Sequence, residues 1–218
     1  MSSARDRIIA RLLDNQSDAR VSPLEQGDTT EEWPIEKRID RFVERMRAVR
    51  TEVHQVRRDG WVEQLLQLCE ERGWRNLLYG PQGPLGREIT NSIEIRSDIP
   101  KLIACEQEIE QWKGALFQEI DAAITSVRAG IASTGTLVIW PTPQEPRTLS
   151  LVPPVHIAVL DADKLYTSFE EIMRKEAWQQ GMPTNALLIS GPSKTADIEQ
   201  TLSYGIHGPT EVIVLLLS

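Results

Sequence analysis

Residues 51–79 have the sequence TEVHQVRRDGWVEQLLQLCEERGWRNLLY, from which the fold class can be predicted. Apolar and polar side chains alternate in residues 51–56, which predicts a strand. In residues 61–72 the apolar side chains recur at helical spacing and Gly73 follows, which predicts a helix with a glycine end. Residues 76–79 predict a second strand. Two strands joined through a helix are typical of parallel pairing in an α/β domain.

The segments on both sides continue this alternation of helices and strands. Apolar residues at spacings of three and four predict an amphipathic helix over residues 35–49 and another over residues 164–180. Short runs rich in β-branched residues and leucine predict further strands. These runs are residues 121–127, 136–140, 155–160, 186–190 and 211–217. We therefore predict an α/β fold, an open and mostly parallel sheet with flanking helices.

The first 30 residues differ in character from the rest. Residues 3–14 have a narrow apolar face and predict a short helix, and residues 15–30 have the composition of a linker. The predicted organisation is an N-terminal helical arm and linker, residues 1–30, followed by one α/β domain, residues 31–218. No segment resembles a secretory signal or a membrane span, so we expect a cytoplasmic protein.

Composition excludes several classes of function. The 218 residues include 24 Lys and Arg against 32 Asp and Glu, a formal charge of −8, which disfavours binding to nucleic acid or anionic lipid. The two cysteines, Cys69 and Cys105, are far apart, so the chain lacks the ligand set of a zinc ribbon or an iron–sulfur cluster. We expect no cofactor held by this chain.

Two glycine-containing motifs resemble phosphate loops but fail on spacing. GPQGPLG, residues 80–86, follows a predicted strand, yet its glycines and two prolines do not fit the dinucleotide fingerprint, which favours a structural turn. SGPSKT, residues 190–195, has Leu188 and Ser193 where a P-loop requires glycine. It also lacks the last glycine of a serine hydrolase elbow. An anion site there and a plain helix cap remain equal alternatives.

The histidines and carboxylates leave further alternatives open. His156 and His207 lie at predicted loop edges, where each is either a general acid or base or a histidine bonded to a turn. Asp161 with Asp163, and Asp197 with Glu199, do not form a convincing metal set. Thr134 to Thr136 is either a donor group for a ligand or a tight turn.

Four motifs, taken in order, resemble the LUD domain family and, within it, the lactate utilization protein C group. They are GIASTGT at 130–136, PPVH at 153–156, SGPSKTADIE at 190–199 and GIHGP at 205–209. The resemblance covers residues 35–218. It implies a fold similar to the sugar isomerase and CoA-transferase superfamily. It also implies a role in oxidising L-lactate to pyruvate beside iron–sulfur partner proteins, without a cluster in this chain.

The resemblance also points to a set of site residues. These are Thr134, Gly135, Thr136, Arg147, His156, Ser193, Lys194, Thr195, Asp197, Glu199 and His207. Arg147 and Lys194 would clamp a small carboxylate or phosphate, with the hydroxyls and Gly135 completing the cradle. His156, His207 and Asp197 would serve any chemistry. Where the family usually has an acidic residue, this chain has Ser133.

Three hypotheses about function follow. The preferred one is a non-redox component of an iron–sulfur system for lactate oxidation that binds a small anion. The alternative is a free-standing enzyme acting on a small phosphorylated or CoA-linked metabolite, which rests on fold analogy. The third is an interaction module that docks through the N-terminal arm.

Overall fold

The structure is a computed structural model that describes residues 31–93, 100–105, 119–195 and 203–218, with residues 5, 114, 116 and 117. Glu32–Ser218 form one compact unit and residues 1–31 another. The predicted arm and linker, like Asp197 and Glu199, lie outside the described residues. Within the part of the chain that is described, every helix is too short or too polar to cross a membrane.

Five helices and twelve strands make up the described part of the larger unit. The helices are α1 Ile35–Ala48, α2 Trp61–Arg72, α3 Gly86–Ile93, α4 Thr148–Leu151 and α5 Phe169–Lys175. The strands are β1 Glu52–Val56, β2 Asn76–Tyr79, β3 Lys101–Ala104, β4 Ala122–Ser126, β5 Ala129–Ile131, β6 Thr136–Ile139, β7 Val155–Asp161, β8 Leu165–Tyr166, β9 Leu187–Ile189, β10 Lys194–Thr195, β11 Ser203–Tyr204 and β12 Glu211–Leu217.

Six of these strands form the main sheet, in the order β1-β12-β7-β4-β2-β3, and all neighbours are parallel. β12 lies between β1 and β7, so that Ile213 pairs with both Glu52 and Ile157. The continuous apolar run of β12 fits a strand that is buried on both faces. The predicted α/β class with a mostly parallel sheet is confirmed.

A smaller sheet has the order β8-β5-β6-β9. In it, β6 pairs antiparallel with β5 and β9, while β8 pairs parallel with β5. β10 and β11 form a separate antiparallel pair. These short strands follow β4 and β7 in the chain, and they bring the sequence motifs of the second half together.

Packing divides the core into layers on the two faces of the main sheet. α2 and α3 cover one face, where Leu65 and Ile89 pack on Ile124, Ile157 and Leu215. On the other face, α1 and the smaller sheet pack against β7 and β12, with Phe42 and Met46 wholly buried. Each helix therefore contributes one apolar stripe, as the sequence periodicity predicts.

The helix predicted over residues 164–180 is wrong at both ends, because the α-helix spans only Phe169–Lys175. Leu165 and Tyr166 form β8, which pairs with β5, and the helix begins only at Phe169. The Ser168 side chain accepts a hydrogen bond from the backbone N–H of Glu171, which caps the helix start. A 3-10 turn, Trp178–Gln180, follows the helix. The spacing of the apolar residues fits a helix that starts at residue 164 as well as one that starts at Phe169. The Ser168 cap favours the start at Phe169.

Candidate functional site

A row of three hydroxyls joins two of the sequence motifs. Thr134 Oγ1 lies 2.7 Å from Thr136 Oγ1, which lies 2.8 Å from Ser190 Oγ. The pairing of β6 with β9 aligns Leu137 with Ile189, and this register places the residues next to them side by side. The predicted donor group at 134–136 and the start of SGPSKT therefore belong to one local structure.

The glycine-rich loop before β12 joins the same structure. Ser193 N–H donates to Pro209 O at 2.9 Å, and Gly205 N–H donates to Ser193 O at 2.9 Å. Gly208 also approaches Ser193 closely, since an added Cβ would lie 3.2 Å from Ser193 Cβ. We call residues 134–136, 190–194 and 205–209 the motif cluster. It lies beside the amino end of β12, which begins at Glu211.

Two glycines of the motif cluster have backbone conformations that favour glycine and pack on α1 or the residues after it. Gly135 has φ 63°, and an added Cβ would lie 2.5 Å from Arg45 Cβ. Gly191 has φ 116°, and an added Cβ would lie 2.8 Å from Val49 Cγ2. The turn at 134–136 therefore has a structural role, because it packs the motif cluster against α1, in addition to any role in binding.

Three predicted site residues are exposed around this cluster or near it. Lys194 is exposed on β10, and His207 is exposed in the loop before β12. Arg147 is exposed immediately before α4. An added Cβ on Gly208 would lie 3.6 Å from the carbonyl oxygen of Leu151, the last residue of α4. Arg147 and Lys194 form no ion pair with another described residue, so both charges are available to a ligand.

His156 has a different environment from the motif cluster. It is completely buried on β7, and its Nε2 lies 2.9 Å from Thr125 Oγ1 on the neighbouring strand β4. Its Nδ1 has no hydrogen-bond partner among the described residues. Burial lowers the pKa of His156 to about 4. The ring is therefore neutral at pH 7 and has no proton to release as an imidazolium.

A second polar site, which the sequence analysis missed, lies at the carboxyl ends of β2 and β4. From β2 the chain continues outward to β3, and from β4 it continues in the opposite direction to β7. Neighbouring parallel strands whose connections diverge in this way leave a crevice at their carboxyl ends, where α/β proteins commonly bind ligands. The crevice here contains the Glu145 side chain.

Glu145 is held from two sides. Ser126 N–H donates to both carboxylate oxygens at 3.2 and 3.3 Å, and the Ser126 hydroxyl donates to Oε2. On the other side lies the glycine turn at 80–86, where an added Cβ on Gly83 would lie 2.9 Å from Glu145 Oε1. The carboxyl group is buried, with 7 % of the residue exposed. Burial raises the pKa of Glu145, and the bonds from Ser126 offset part of that rise.

The glycine turn itself is structural, as the sequence analysis favours. Gly83 N–H donates to Gly80 O at 3.0 Å and Gly86 N–H to Gly83 O at 3.1 Å, and α3 then begins at Gly86. An added Cβ on Gly80 would lie 2.2 Å from Gln144 O. The signal for Glu145 was the position of this turn directly after a parallel strand. Glu145 itself lies in a polar, proline-rich loop without a periodic pattern, so its contact with this turn could not be predicted from the sequence.

No group of three or more His, Cys, Asp or Glu side chains is placed to hold a metal ion in the described parts of the chain. Both cysteines are free, and burial raises the pKa of Cys69 to about 12, so its thiol is protonated at neutral pH. That this chain holds no cofactor stays a prediction.

Known proteins resemble this chain over most of its length. An uncharacterized protein of Neisseria meningitidis serogroup B is 40 % identical over 99 % of this chain and 94 % of its own length. A lactate utilization protein C of Halalkalibacterium halodurans is 25 % identical over 92 % of this chain and 86 % of its own. Another protein of that name, from an Exiguobacterium species, is 36 % identical over 44 % of each chain.

The fold and the family are supported independently. The crystal structure of a DUF162 family protein from Deinococcus radiodurans superposes with a TM-score of 0.61, covering 85 % of this chain and 99 % of that one. At 16 % identity this likeness shows the fold alone. The sequence profile of the LUD domain matches residues 39–217. The chain therefore belongs to the LUD domain family, as its motifs predict.

Proposed function

We propose that this protein is a non-redox component of a system that oxidises L-lactate to pyruvate and that it binds a small carboxylate at the motif cluster. The names of the lactate utilization protein C relatives support the system. The observation that carries the binding role is that three separate motifs converge there, joined by the Thr136 to Ser190 hydroxyl contact. Iron–sulfur proteins would be its partners and would carry the electrons.

The motif cluster has the chemistry that a small carboxylate requires. The three hydroxyls of this row have three protons for two mutual contacts, so one proton remains to be donated to a ligand. Lys194, four residues after Ser190, adds an exposed positive charge to the motif cluster. A carboxylate bound by one cation and one or two hydroxyls gains charge-assisted hydrogen bonds, which are stronger than neutral ones.

The proposal is tested by deleting the gene in the source cells and comparing growth on L-lactate with growth on pyruvate. We expect growth to be lost on L-lactate only, because pyruvate enters after the oxidation step. Wild-type protein and Lys101→Ala, an exposed lysine on β3, should restore growth, whereas Lys194→Ala should restore it poorly. Unchanged growth of the deletion strain on L-lactate would show that the proposed system is wrong.

Purification of the tagged protein from lactate-grown cells under anaerobic conditions separates the preferred function from its alternative. Co-elution of proteins that contain iron would support the role as a component. A protein that purifies alone and turns over a phosphorylated or CoA-linked metabolite would support the free-standing enzyme instead.

A further inference from the structure

The second residue after α1, Arg50, has an unusual backbone. Arg50 has φ 67°, in the left-handed region that favours glycine. Its N–H donates to Arg47 O, and Thr51 N–H donates to Met46 O at 3.0 Å, an arrangement that commonly ends a helix on glycine. An arginine here has a strained backbone that glycine would not have. Such strain persists where a side chain is needed for another purpose.

The Arg50 side chain reaches the β10–β11 pair. Its guanidinium carbon lies 4.7 Å from the centre of the Tyr204 ring, within the range of a cation–π contact. Tyr204 is paired directly with Lys194, and side chains opposite each other on antiparallel strands lie on the same face. Two cations therefore border one aromatic ring. Neither forms an ion pair with another residue that the structure describes.

The residue after Arg50, Thr51, carries a buried hydroxyl. Thr51 is 2 % exposed, and its Oγ1 has no hydrogen-bond partner among the described residues. An added Cβ on Gly191 would lie 3.4 Å from that oxygen, so the hydroxyl faces the SGPSKT loop, three residues before Lys194. Buried hydroxyls are nearly always paired, so the unpaired Thr51 hydroxyl, which faces the loop that leads to Lys194, indicates a missing acceptor.

We propose that Arg50, Lys194 and Thr51 form an anion-binding site and that Tyr204 holds the Arg50 guanidinium in position for it. This inference rests on the proposed function, because it takes the anion to be the carboxylate of the small ligand bound at the motif cluster. Arg50 binds two oxygens through its planar fork, Lys194 supplies a second charge, and the Thr51 hydroxyl donates. Neither Arg50 nor Thr51 is among the site residues predicted from the sequence.

Two substitutions separate a binding role from a structural one. Arg50→Gly removes the side chain and relieves the strained backbone, so the melting temperature should stay the same or rise while anion affinity falls at least tenfold, ~1.4 kcal/mol. Thr51→Val removes the unpaired hydroxyl at nearly constant volume, and it should weaken binding several-fold without lowering the melting temperature. The matched control is Arg57→Ala, because Arg57 lies exposed just after the other end of β1.

The measurement is isothermal titration calorimetry of the full chain with L-lactate, pyruvate and inorganic phosphate as separate probes. Wild-type protein and Arg57→Ala should bind at least one carboxylate with equal affinity, and Arg50→Gly should bind it weakly. If Arg50→Gly binds a carboxylate as tightly as the wild type, the site is wrong and the proposed function stands. If the wild type binds phosphate alone, and Arg50→Gly loses it, the anion site stands and the carboxylate is wrong. If the wild type binds no probe, the site is wrong, and growth on L-lactate decides the function separately.

Discussion

Acidification is expected to destabilise the protein through one histidine. His156 is completely buried on β7, with Nε2 on the Thr125 hydroxyl and Nδ1 without a partner among the described residues. Burial lowers its pKa from 6.5 to about 4, because the charged ring would lose its hydration inside the sheet. The folded state therefore favours the neutral form of His156 and opposes its protonation.

The size of the effect follows from the pKa difference between the unfolded and the folded chain. In the unfolded chain the ring titrates near 6.5. The contribution of neutral His156 to the free energy of unfolding is therefore complete above pH 6.5 and is lost as the pH falls toward 4. One pKa unit corresponds to 1.36 kcal/mol, so the loss is about 3 kcal/mol. This is a large share of the ~5–15 kcal/mol that stabilises a typical domain.

Urea unfolding at several pH values between 7.5 and 4, for the wild type and His156→Gln, measures this contribution. Glutamine keeps a polar group near the position of Nε2 for Thr125 but does not titrate. Other titrating groups are common to both proteins, so the difference between their free energies of unfolding isolates His156. We expect that difference to shrink by about 3 kcal/mol as the pH falls. A constant difference, or an imidazole pKa near 6.5 measured by NMR, would refute the reasoning.

Two further predictions concern the crevice at the carboxyl ends of β2 and β4. Gly80→Ala should lower the free energy of unfolding by about 1–3 kcal/mol, because the new Cβ would lie 2.2 Å from the backbone oxygen of Gln144. Gly181→Ala, with open space around it, is the control, and equal urea midpoints for the two variants would contradict the prediction. Glu145→Gln should gain stability relative to the wild type as the pH rises above 4.5, because the wild-type carboxyl, whose pKa is raised, must ionise while buried. A pH-independent difference in urea unfolding between these two proteins would show that Glu145 ionises without penalty.

The central strands β7 and β12 of the main sheet were predictable because they are apolar on both faces, whereas the edge strand β3 was not predicted. The runs that became β7 and β12 are apolar between their ends, apart from His156 near the start of β7, because the polar residues Asp161 and Glu211 lie at strand ends. The short strands of the smaller sheet were harder to predict. β5 has three residues and β8 has two, and their pairing depends on partners far along the chain. A capping pattern, Ser168 followed by Glu171, was available in the sequence and would have corrected the helix start.

Residues of the candidate site were predictable where they belong to one continuous sequence motif. They were not predictable where they come from distant segments that meet only in the folded protein. The contact between Thr136 and Ser190 joins residues that two sequence motifs already named. Glu145 lies in a loop and Ser126 at the end of β4, and neither has a local signature. Arg50 follows a helix end, where arginine is unremarkable in the sequence, and only its backbone angle distinguishes it.

The position of β12 between β1 and β7 has a consequence for synthesis on the ribosome. Glu52 pairs with Ile213, so β1 cannot acquire its neighbour in the main sheet until translation has passed residue 213. At about 5–20 residues per second, β1 waits on the order of ten seconds. During that time one edge of β7 is also unpaired, and such edges recruit other chains. A stop codon shortly before β12 would therefore yield an aggregating product, although it would leave every residue of the other eleven strands in place.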